Sequence, residues 1–271
     1  MSIKFEPIRW ILALVLLAFT VAAIYPFVYM FLLSLSQSRS LILRFDPDDI
    51  SLINYQRIFI NFNFFRYLIN SIIVSGGAVL AVNIICSMAA YGFAKKRFPG
   101  KVLLFTIVMA TLMIPRQVTL IPSFLIMMHM NLLNTYAALI IPAIGAFGIF
   151  MLHQFMHGVP DDLLEAAKID GCGEVRIFVS IVLPLLKAAL IALTVFVYLG
   201  TWNDFIWPLV TITDTNMQTL ILALSLLQGL YATHYGLVMA GATLSFIPPF
   251  LLYVFLQKQF VQGVALSGIK G

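Results

Sequence analysis

The sequence predicts an all-α, polytopic membrane protein with six transmembrane helices and one short polar helix on the cytoplasmic side. Three observations predict this class: the composition, the length of the uncharged runs and the distribution of basic residues. Of 271 residues, 62% are hydrophobic and only 10% are charged, whereas soluble domains carry about 25% charged residues. A soluble fold cannot bury so much apolar surface, so we expect one membrane domain over residues 1–271.

The uncharged runs are long enough to cross a bilayer. Arg9 and Arg39 enclose 29 uncharged residues, and Arg66 and Lys95 enclose 28, whereas a helix needs about 20 residues to cross the hydrocarbon core. The first run is longer than the apolar region of a signal peptide, about 7–15 residues, and therefore predicts a retained span. Unbroken apolar runs also favour helices over the alternating strands of a membrane barrel.

Six spans are predicted, and the basic residues orient them. Their approximate bounds are 10–34, 70–93, 102–124, 137–157, 186–208 and 236–257. An even number places both termini on one side. If that side is the cytoplasm, the cytoplasmic segments hold eleven basic residues and the outer segments four, with Arg116 unassigned. The positive-inside rule therefore predicts a multi-pass inner-membrane protein with cytoplasmic termini, and it explains the basic character without a nucleic-acid partner.

Between the spans, proline and aspartate residues indicate breaks and turns. In the first outer loop, DPDDISLINYQRIF predicts a turn followed by an amphipathic surface helix that begins at an Asp. Pro115 breaks the third span, so residues 115–134 are expected to line a cavity or to contact a partner, because irregular backbone at membrane depth needs protein or water to cover it. Pro248 and Pro249 are expected to kink the sixth span.

A polar segment, EAAKIDGCGEVRIFVSIVLP, follows the fourth span on the predicted cytoplasmic side. Asp161 or Asp162 is predicted to cap a helix there, with Glu165 completing a capping box if the cap is Asp162. Gly171 offers a left-handed stop. The resulting helix, about 162–170, is too short to cross a bilayer and marginal alone in water, so it must rest on another surface.

One face of this short helix is predicted to be a contact surface. Leu163, Ala166, Ala167 and Asp170 follow helical spacing, and adjacent alanines permit the close approach of a partner. From helix physics alone, an ordinary interfacial helix between two spans explains the segment as well.

The spacing of the segment resembles the EAA loop of ABC-importer permeases. Glu-Ala-Ala at residues 165–167 is followed by three residues, Gly171, nine residues, Ile181, one residue and Leu183-Pro184. Lys187 departs from the many relatives that have proline there. The similarity extends to the carbohydrate-uptake group of this family, and within it to the shorter, MalG-like subunits, through these stretches: NSIIVSGGAVLAVNIICSMAAYGFAKKRFPGK, LMIPRQVTLIPSF, LLNTYAALIIPAI, GTWNDFIWPL and LSGIKG.

The resemblance implies a transport subunit rather than an enzyme. Together with a MalF-like second permease it would form the pathway for a sugar or oligosaccharide, surrounded by membrane lipid. Two ATPase subunits would bind the ATP and Mg, and an extracytoplasmic solute-binding protein would deliver the solute. A permease for glycerol-3-phosphate or a related polyol phosphate is the alternative, although a phosphate favours several inward-facing cations, and Arg116 is the one candidate that the sequence offers.

The short helix would then be the coupling helix, which is seated in a cleft of an ATPase subunit. Its predicted coupling residues are Glu165, Ala166, Ala167, Asp170 and Gly171. In the family's arrangement, Glu165 would pair with a basic group, the alanines would allow close seating and Gly171 would form the exit turn.

The predicted solute pathway has five candidate residues: Asn83, Arg116, Trp202, Asn203 and Asp204. Aromatic rings beside an amide and a carboxylate can stack on a sugar and hydrogen-bond to it, but residues 202–204 also fit an aromatic belt with a structural Asp. Asn83 can either form a hydrogen bond between helices or line the pathway. Arg116 can either supply a charge in the pathway or form a salt bridge with a partner.

Other chemistries have little support in the sequence. The nearest match to a phosphate-binding loop, Gly100-Lys101, lacks both the first glycine and the final Ser or Thr of that motif. His153 and His157 are four residues apart but fit interfacial polar residues better than metal ligands. No nucleophile–base pattern appears, so no catalytic or metal-binding residue is predicted. An ATP-independent transporter would need a charged or ion-binding midplane, and the spans carry little charge.

Overall fold

Helices form the regular structure of residues 7–37, 49–230 and 234–268, the part of the chain that this computed structural model describes. The charged residues Lys4, Glu6, Arg39, Arg44, Asp46, Asp48 and Lys270 lie outside the described residues. In chain order the helices are α1 Pro7–Ser34, α2 Ile53–Asn61, α3 Phe64–Lys95, α4 Lys101–Ala110, α5 Leu120–His129, α6 Tyr136–Ile140, α7 Ala146–Met156, α8 Asp161–Ile169, α9 Glu174–Ile177, α10 Leu183–Leu185, α11 Lys187–Trp202, α12 Ile206–Thr211, α13 Leu220–Leu230 and α14 Tyr235–Gly268.

Three of these helices, α1, α3 and α14, are long and apolar enough to cross a membrane alone. Two bent pairs fit one crossing each: Tyr136–Ala143 with Ala146–Met156, bent by 42°, and Glu174–Leu185 with Lys187–Trp202, bent by 77°. By length and composition, the described residues therefore provide up to five crossings. The helices α1, α3 and α14 correspond to the predicted first, second and sixth spans. The two bent pairs correspond to the predicted fourth and fifth spans.

The predicted third span is divided into two shorter apolar helices. α4 and a following 3₁₀ turn end at Met113, and α5 begins at Leu120. Pro115 lies between them and cannot extend the hydrogen-bond ladder, because it has no amide proton. The break that Pro115 was predicted to introduce into the span over residues 102–124 is therefore present in the structure.

The fifth and sixth crossings also differ from the predicted bounds. α11 ends at Trp202 rather than near residue 208, because residues 203–205 leave the helix before α12 begins. α14 is continuous through Pro248 and Pro249 and reaches Gly268, since a helix need not end where its apolar run ends. α13 was not predicted, because its apolar stretch is shorter than a span.

The chain divides into two compact units, one of Met1–Phe65 with Leu224–Ile247 and one of Arg66–Ala223 with Pro248–Gly271. In the first unit, the buried Asn54 Nδ2 donates to the carbonyls of Ser34 and Ser36 at 2.9 and 2.8 Å. The prediction that α2 begins at an Asp is wrong: it begins at Ile53, whose amide donates to Ser51 Oγ at 3.1 Å.

The core of the second unit forms where α3, α7, α8 and α11 meet. Its buried members include Cys86 of α3, Leu152 of α7, Leu164 of α8 and Leu193 of α11. A Cβ on Gly148 would lie 2.8 Å from Cys86 Sγ, so α3 and α7 pack too closely for a larger residue at this position. This core supports the short helix α8 from one side.

Near the first turns of α3, two asparagines fix the segment between α12 and α13. Asn70 Nδ2 donates to the carbonyls of Asn216 and Gln218 at 2.8 and 2.9 Å. Asn134 Oδ1 accepts from the backbone amides of residues 213 and 214 at 2.7 and 2.9 Å. The exposed turn over residues 213–216 is therefore held from its inner side.

Candidate functional site

The short helix α8 begins without the predicted side-chain cap. Its N-cap position is Pro160, and neither Asp161 nor Asp162 caps the first turn. Asp161 Oδ1 instead accepts a hydrogen bond from Lys95 Nζ at 2.8 Å, a charge-assisted contact that is stronger than a bond between neutral groups. Both aspartates still lie at the positive end of the helix dipole, where negative charge is favourable.

The end of α8 is the predicted left-handed stop at Gly171, which has a φ of 76°. The Gly171 amide donates to the Lys168 carbonyl at 3.0 Å, and the Cys172 amide donates to the Ala167 carbonyl at 2.9 Å. This pair of bonds is a Schellman motif, which satisfies the last carbonyls of the helix. Gly171 therefore sets the direction in which the chain leaves α8.

The predicted contact face of α8 is divided between the core and the surface. Leu164 and Ala167 are each 6% exposed and pack in the core of their own chain, whereas Glu165, Ala166 and Asp170 are exposed. Ala167 is therefore a packing residue and cannot offer its side chain to a partner. The prediction placed Ala167 on one face with Leu163, whereas in the structure it shares the buried side with Leu164, three positions earlier.

Exposed aliphatic side chains lie on α8 and at the start of α9, and of these the sequence singled out Leu163 but not Ile169 or Val175. Ile169 is 87% exposed and Val175 is 78% exposed, while Leu163 is 46% exposed. Together with Ala166 they give this surface an apolar centre beside the charge of Glu165. Such a composition is typical of a surface that a protein partner covers. The signal in the sequence was an isoleucine and a valine beside charged residues in a segment that is otherwise polar.

A second candidate site is a cavity of about 550 Å³ next to the end of α11. Its walls come from the break before α5, the turn after α6 and the residues that link α11 to α12. Polar side chains that line it include Arg116, Gln117, Ser123, Asn203 and Asp204. The fold thus brings together three of the five predicted pathway residues, and the break at Pro115 supplies one wall, as predicted for residues 115–134.

The other two predicted pathway residues do not line this cavity. Trp202 is 1% exposed and stacks on Tyr198, with ring centroids 5.5 Å apart. The structure therefore gives no support to its predicted contact with a solute, because its side chain faces the protein interior. Trp207 lines the cavity instead, with its Nε1 donating to the Ala138 carbonyl at 2.8 Å. Asn83 donates to Thr194 Oγ1 at 2.9 Å and joins α3 to α11.

The cavity contains opposite charges and several neutral hydrogen-bonding groups. Asp204 Oδ1 accepts from the Trp207 amide at 3.2 Å, which fixes the carboxylate at the start of α12. Asn203 Nδ2 donates to the Leu199 carbonyl at 3.0 Å, which leaves its amide oxygen available. Among the lining residues Arg116 is the cation. A neutral solute with many hydroxyl groups suits these groups and the indole of Trp207 better than a multiply charged anion does.

Comparison with known proteins identifies similar sequences over most of the chain. Residues 81–266 match the family model of the binding-protein-dependent transport system inner membrane component. The arabinooligosaccharides transport system permease protein AraQ of Halalkalibacterium halodurans is 34% identical over 279 residues, which cover 100% of both chains. The lactose transport system permease protein LacG of Rhizobium radiobacter is 36% identical over 69% of this chain and 68% of that protein.

Two further similarities bear on the range of transported solutes. The sn-glycerol-3-phosphate transport system permease protein UgpE of Shigella flexneri is 34% identical over 75% of this chain and 74% of that protein. The fold is similar to a chain in the crystal structure of a bacterial ABC transporter involved in the import of the acidic polysaccharide alginate. That comparison has a TM-score of 0.81 at 26% identity and covers 96% of this chain and 99% of the other.

Proposed function

This chain belongs to the family of binding-protein-dependent transport system inner membrane components, and from this premise we propose that it forms half of the translocation pathway for a sugar or oligosaccharide. Relatives named for arabinooligosaccharides and lactose support this substrate class. The observation that carries the proposal is the cavity beside α11, where an indole, an amide and a carboxylate line a space of about 550 Å³.

The proposed assembly contains this chain, a MalF-like second permease, two ATPase subunits and an extracytoplasmic solute-binding protein. The ATPase subunits bind ATP and Mg, and this chain supplies no step of the hydrolysis. The termini and α8 lie on the cytoplasmic side in this proposal, in agreement with the positive-inside distribution of basic residues. The cavity then lies toward the outer side, where the binding protein delivers the solute.

α8 is the proposed coupling helix between this chain and an ATPase subunit. Its exposed residues Glu165, Ala166 and Asp170 form the contact, with Ile169 as an apolar neighbour. Glu165 pairs with a basic group of the partner, and Ala166 allows the two backbones to approach closely. Closure of the ATPase dimer displaces α8, and the spans change from an inward-open to an outward-open arrangement.

A permease for glycerol-3-phosphate is the second candidate, which the similarity to UgpE favours. A phosphate carries two negative charges near neutral pH and is usually bound by several cations or amide groups. The lining of the cavity includes the carboxylate of Asp204 beside its cation Arg116, and this carboxylate opposes a phosphate. The charges of the cavity therefore favour the sugar.

The coupling role is tested by Glu165→Arg in the complete importer. The variant should insert into the membrane at the normal level, lose copurification with the ATPase subunits and lose transport. Glu165→Gln, which keeps the size of the side chain, is the matched control. It should retain part of the copurification with the ATPase subunits and part of the transport. If Glu165→Arg copurified and transported like the wild type, the coupling role would be wrong.

A further inference from the structure

The last residue of α3 is attached to the start of α8. Lys95 Nζ donates to the Val159 carbonyl at 2.6 Å and to Asp161 Oδ1 at 2.8 Å. The Lys95 side chain is only 8% exposed, whereas that of Asp161 is 72% exposed. A lysine amine in this position depends on both acceptors, because a largely buried charge without partners is strongly unfavourable.

The next residue, Lys96, is attached beyond the other end of α8. Its Nζ forms an ion pair with Glu174 Oε2 and lies 4.8 Å from the centroid of the Tyr91 ring. The Tyr91 hydroxyl donates to the same carboxylate oxygen at 2.9 Å. Glu174 is the first residue of α9, immediately after the turn that Gly171 begins. Two adjacent lysines, the last residue of α3 and the residue after it, therefore hold the two sides of the α8 segment.

Between these two attachments, α8 packs against the same end of α3. Leu164 and Ala167 lie in the buried cluster that contains Ala90 and Tyr91 of α3. The nine-residue helix is thus joined to the end of α3 at both of its ends and along one face. Because closely packed interiors transmit displacements, we expect a movement of α8 to carry the end of α3 with it.

We propose that Lys95 and Lys96 are positioning residues that make α8 and the end of α3 a single rigid lever. The proposal rests on the proposed function, in which an ATPase subunit displaces α8. The lever transmits that displacement along α3, which carries Asn83 in its middle and Asn70 near its other end. Asn70 and Lys95 are about 38 Å apart along a helix that rises 1.5 Å per residue. Between them, Val74 of α3 belongs to a buried cluster with Leu139 and Trp207, which line the cavity, so the motion reaches the cavity wall.

A role of these lysines in coupling and a purely structural role predict different results. The carboxylates of Asp161 and Glu174 are 72% and 55% exposed, so water can replace a lost lysine, and a purely structural role predicts a small change in unfolding and unchanged transmission. If α8 and the end of α3 act as a lever, variants at these lysines should still bind the ATPase subunits, and ATP should still be hydrolysed. The spans of these variants should respond less to the nucleotide. The response of the spans is therefore the informative measurement.

The experiment uses the complete importer with Lys95→Met, Lys96→Met and the double variant. The reporter is Asn203→Cys in a Cys172→Ser background, labelled with a membrane-impermeant maleimide with and without ATP and vanadate. Cys86 can remain because it is 0% exposed. The adjacent exposed Arg97→Met is the matched control. We expect the double variant to keep ATPase copurification and hydrolysis but to lose at least half of the nucleotide-dependent change in labelling.

Two results would overturn the lever. One is a labelling change in the double variant as large as in Arg97→Met. The other is a loss of ATPase copurification, because the lysines would then only shape the docking surface. Since Glu165→Arg removes copurification when the coupling proposal is right, a failure of the lever and a failure of the proposed function give different results.

A charge exchange provides a second measurement. Lys95→Glu and Asp161→Lys should each reduce the nucleotide-dependent labelling change, because each places like charges next to one another. The double exchange restores opposite charges at the contact and should recover more than half of the loss. A double variant no better than either single one would contradict the role of this pair.

Discussion

Asn83 of α3 donates a hydrogen bond from Nδ2 to Thr194 Oγ1 of α11 at 2.9 Å, while its own Oδ1 is buried with no hydrogen-bond partner among the described residues. The contact joins two crossings, and Asn83 does not line the cavity beside α11. A half-satisfied buried amide contributes less than a fully paired one. Of the two roles considered for Asn83, the structure thus supports the helix–helix contact.

Asn83→Ala should therefore lower the free energy of unfolding by about 1 kcal/mol or less, the usual range for a hydrogen bond between membrane helices. Thr194→Val should have a similar effect, and the double variant should cost no more than the larger single change. The measurement is denaturant unfolding in detergent, combined with the KM of solute uptake. A raised KM in Asn83→Ala at normal stability would place this residue in the pathway.

Gly148→Ala should destabilise the packing of α3 against α7. The added Cβ would lie 2.8 Å from Cys86 Sγ and 3.2 Å from Val82 Cγ1, and overpacking of this kind costs about 1–3 kcal/mol. Gly92→Ala is the matched control, because nothing lies within 4 Å of a Cβ there, and it should be neutral or slightly stabilising. The thermal midpoints of both variants in detergent decide the comparison, and equal midpoints would contradict the close packing.

Asp204→Asn should raise the KM for a neutral saccharide about five- to tenfold, since a charged acceptor binds hydroxyl groups more strongly than a neutral one. Asparagine keeps an oxygen that can accept from the Trp207 amide, so stability should change little. Trp202→Phe, at a position that is 1% exposed, is the control and should leave the KM unchanged. The assay is uptake of a radiolabelled panel of neutral oligosaccharides together with glycerol-3-phosphate. Uptake of glycerol-3-phosphate alone, lost in Arg116→Gln, would support the phosphate permease.

The contact between Lys95 and Asp161 should depend on pH only in acid. The hydrogen bond from Lys95 holds the pKa of Asp161 below its ordinary value of 3.8. A carboxyl whose pKa is lower in the folded state contributes stability above its unfolded pKa and loses that contribution as the pH falls through the folded pKa. The difference in melting temperature between the wild type and Asp161→Asn should therefore be constant from about pH 8 to about pH 5 and shrink below about pH 4. If this difference in melting temperature instead increased as the pH fell, the contact between Lys95 and Asp161 would not be its source.

The membrane class, most of the spans and the position of α8 could be predicted, because hydropathy and local motifs determine them. The turn at Gly171 is of this kind, since glycine is favoured wherever φ is positive. The division of the third span at Pro115 could also be predicted from the sequence, because proline removes a backbone hydrogen-bond donor whatever surrounds it. These signals lie within a few residues of the feature that they predict.

The partners of side chains could not be predicted, because they depend on residues distant in sequence. Asp161 matched a helix cap, but Lys95, 66 positions earlier, provides the stronger partner. The sequence favoured Trp202 for the pathway, but the end of α11 buries Trp202, and Trp207 lines the cavity instead. Ala166 and Ala167 likewise differ only because Leu164 anchors the helix.

Asn70 and Asn134 hold the turn over residues 213–216 mainly through its backbone amides and carbonyls. Two side chains of the turn also take part, because Thr213 Oγ1 accepts from Asn134 Nδ2 at 3.0 Å and Asp214 Oδ1 accepts from the Asn216 amide at 2.9 Å. Thr215 and Asn216 contribute to this network only through their backbone, and both are exposed. The turn therefore tolerates sequence change at these two positions without a change in the path of the chain.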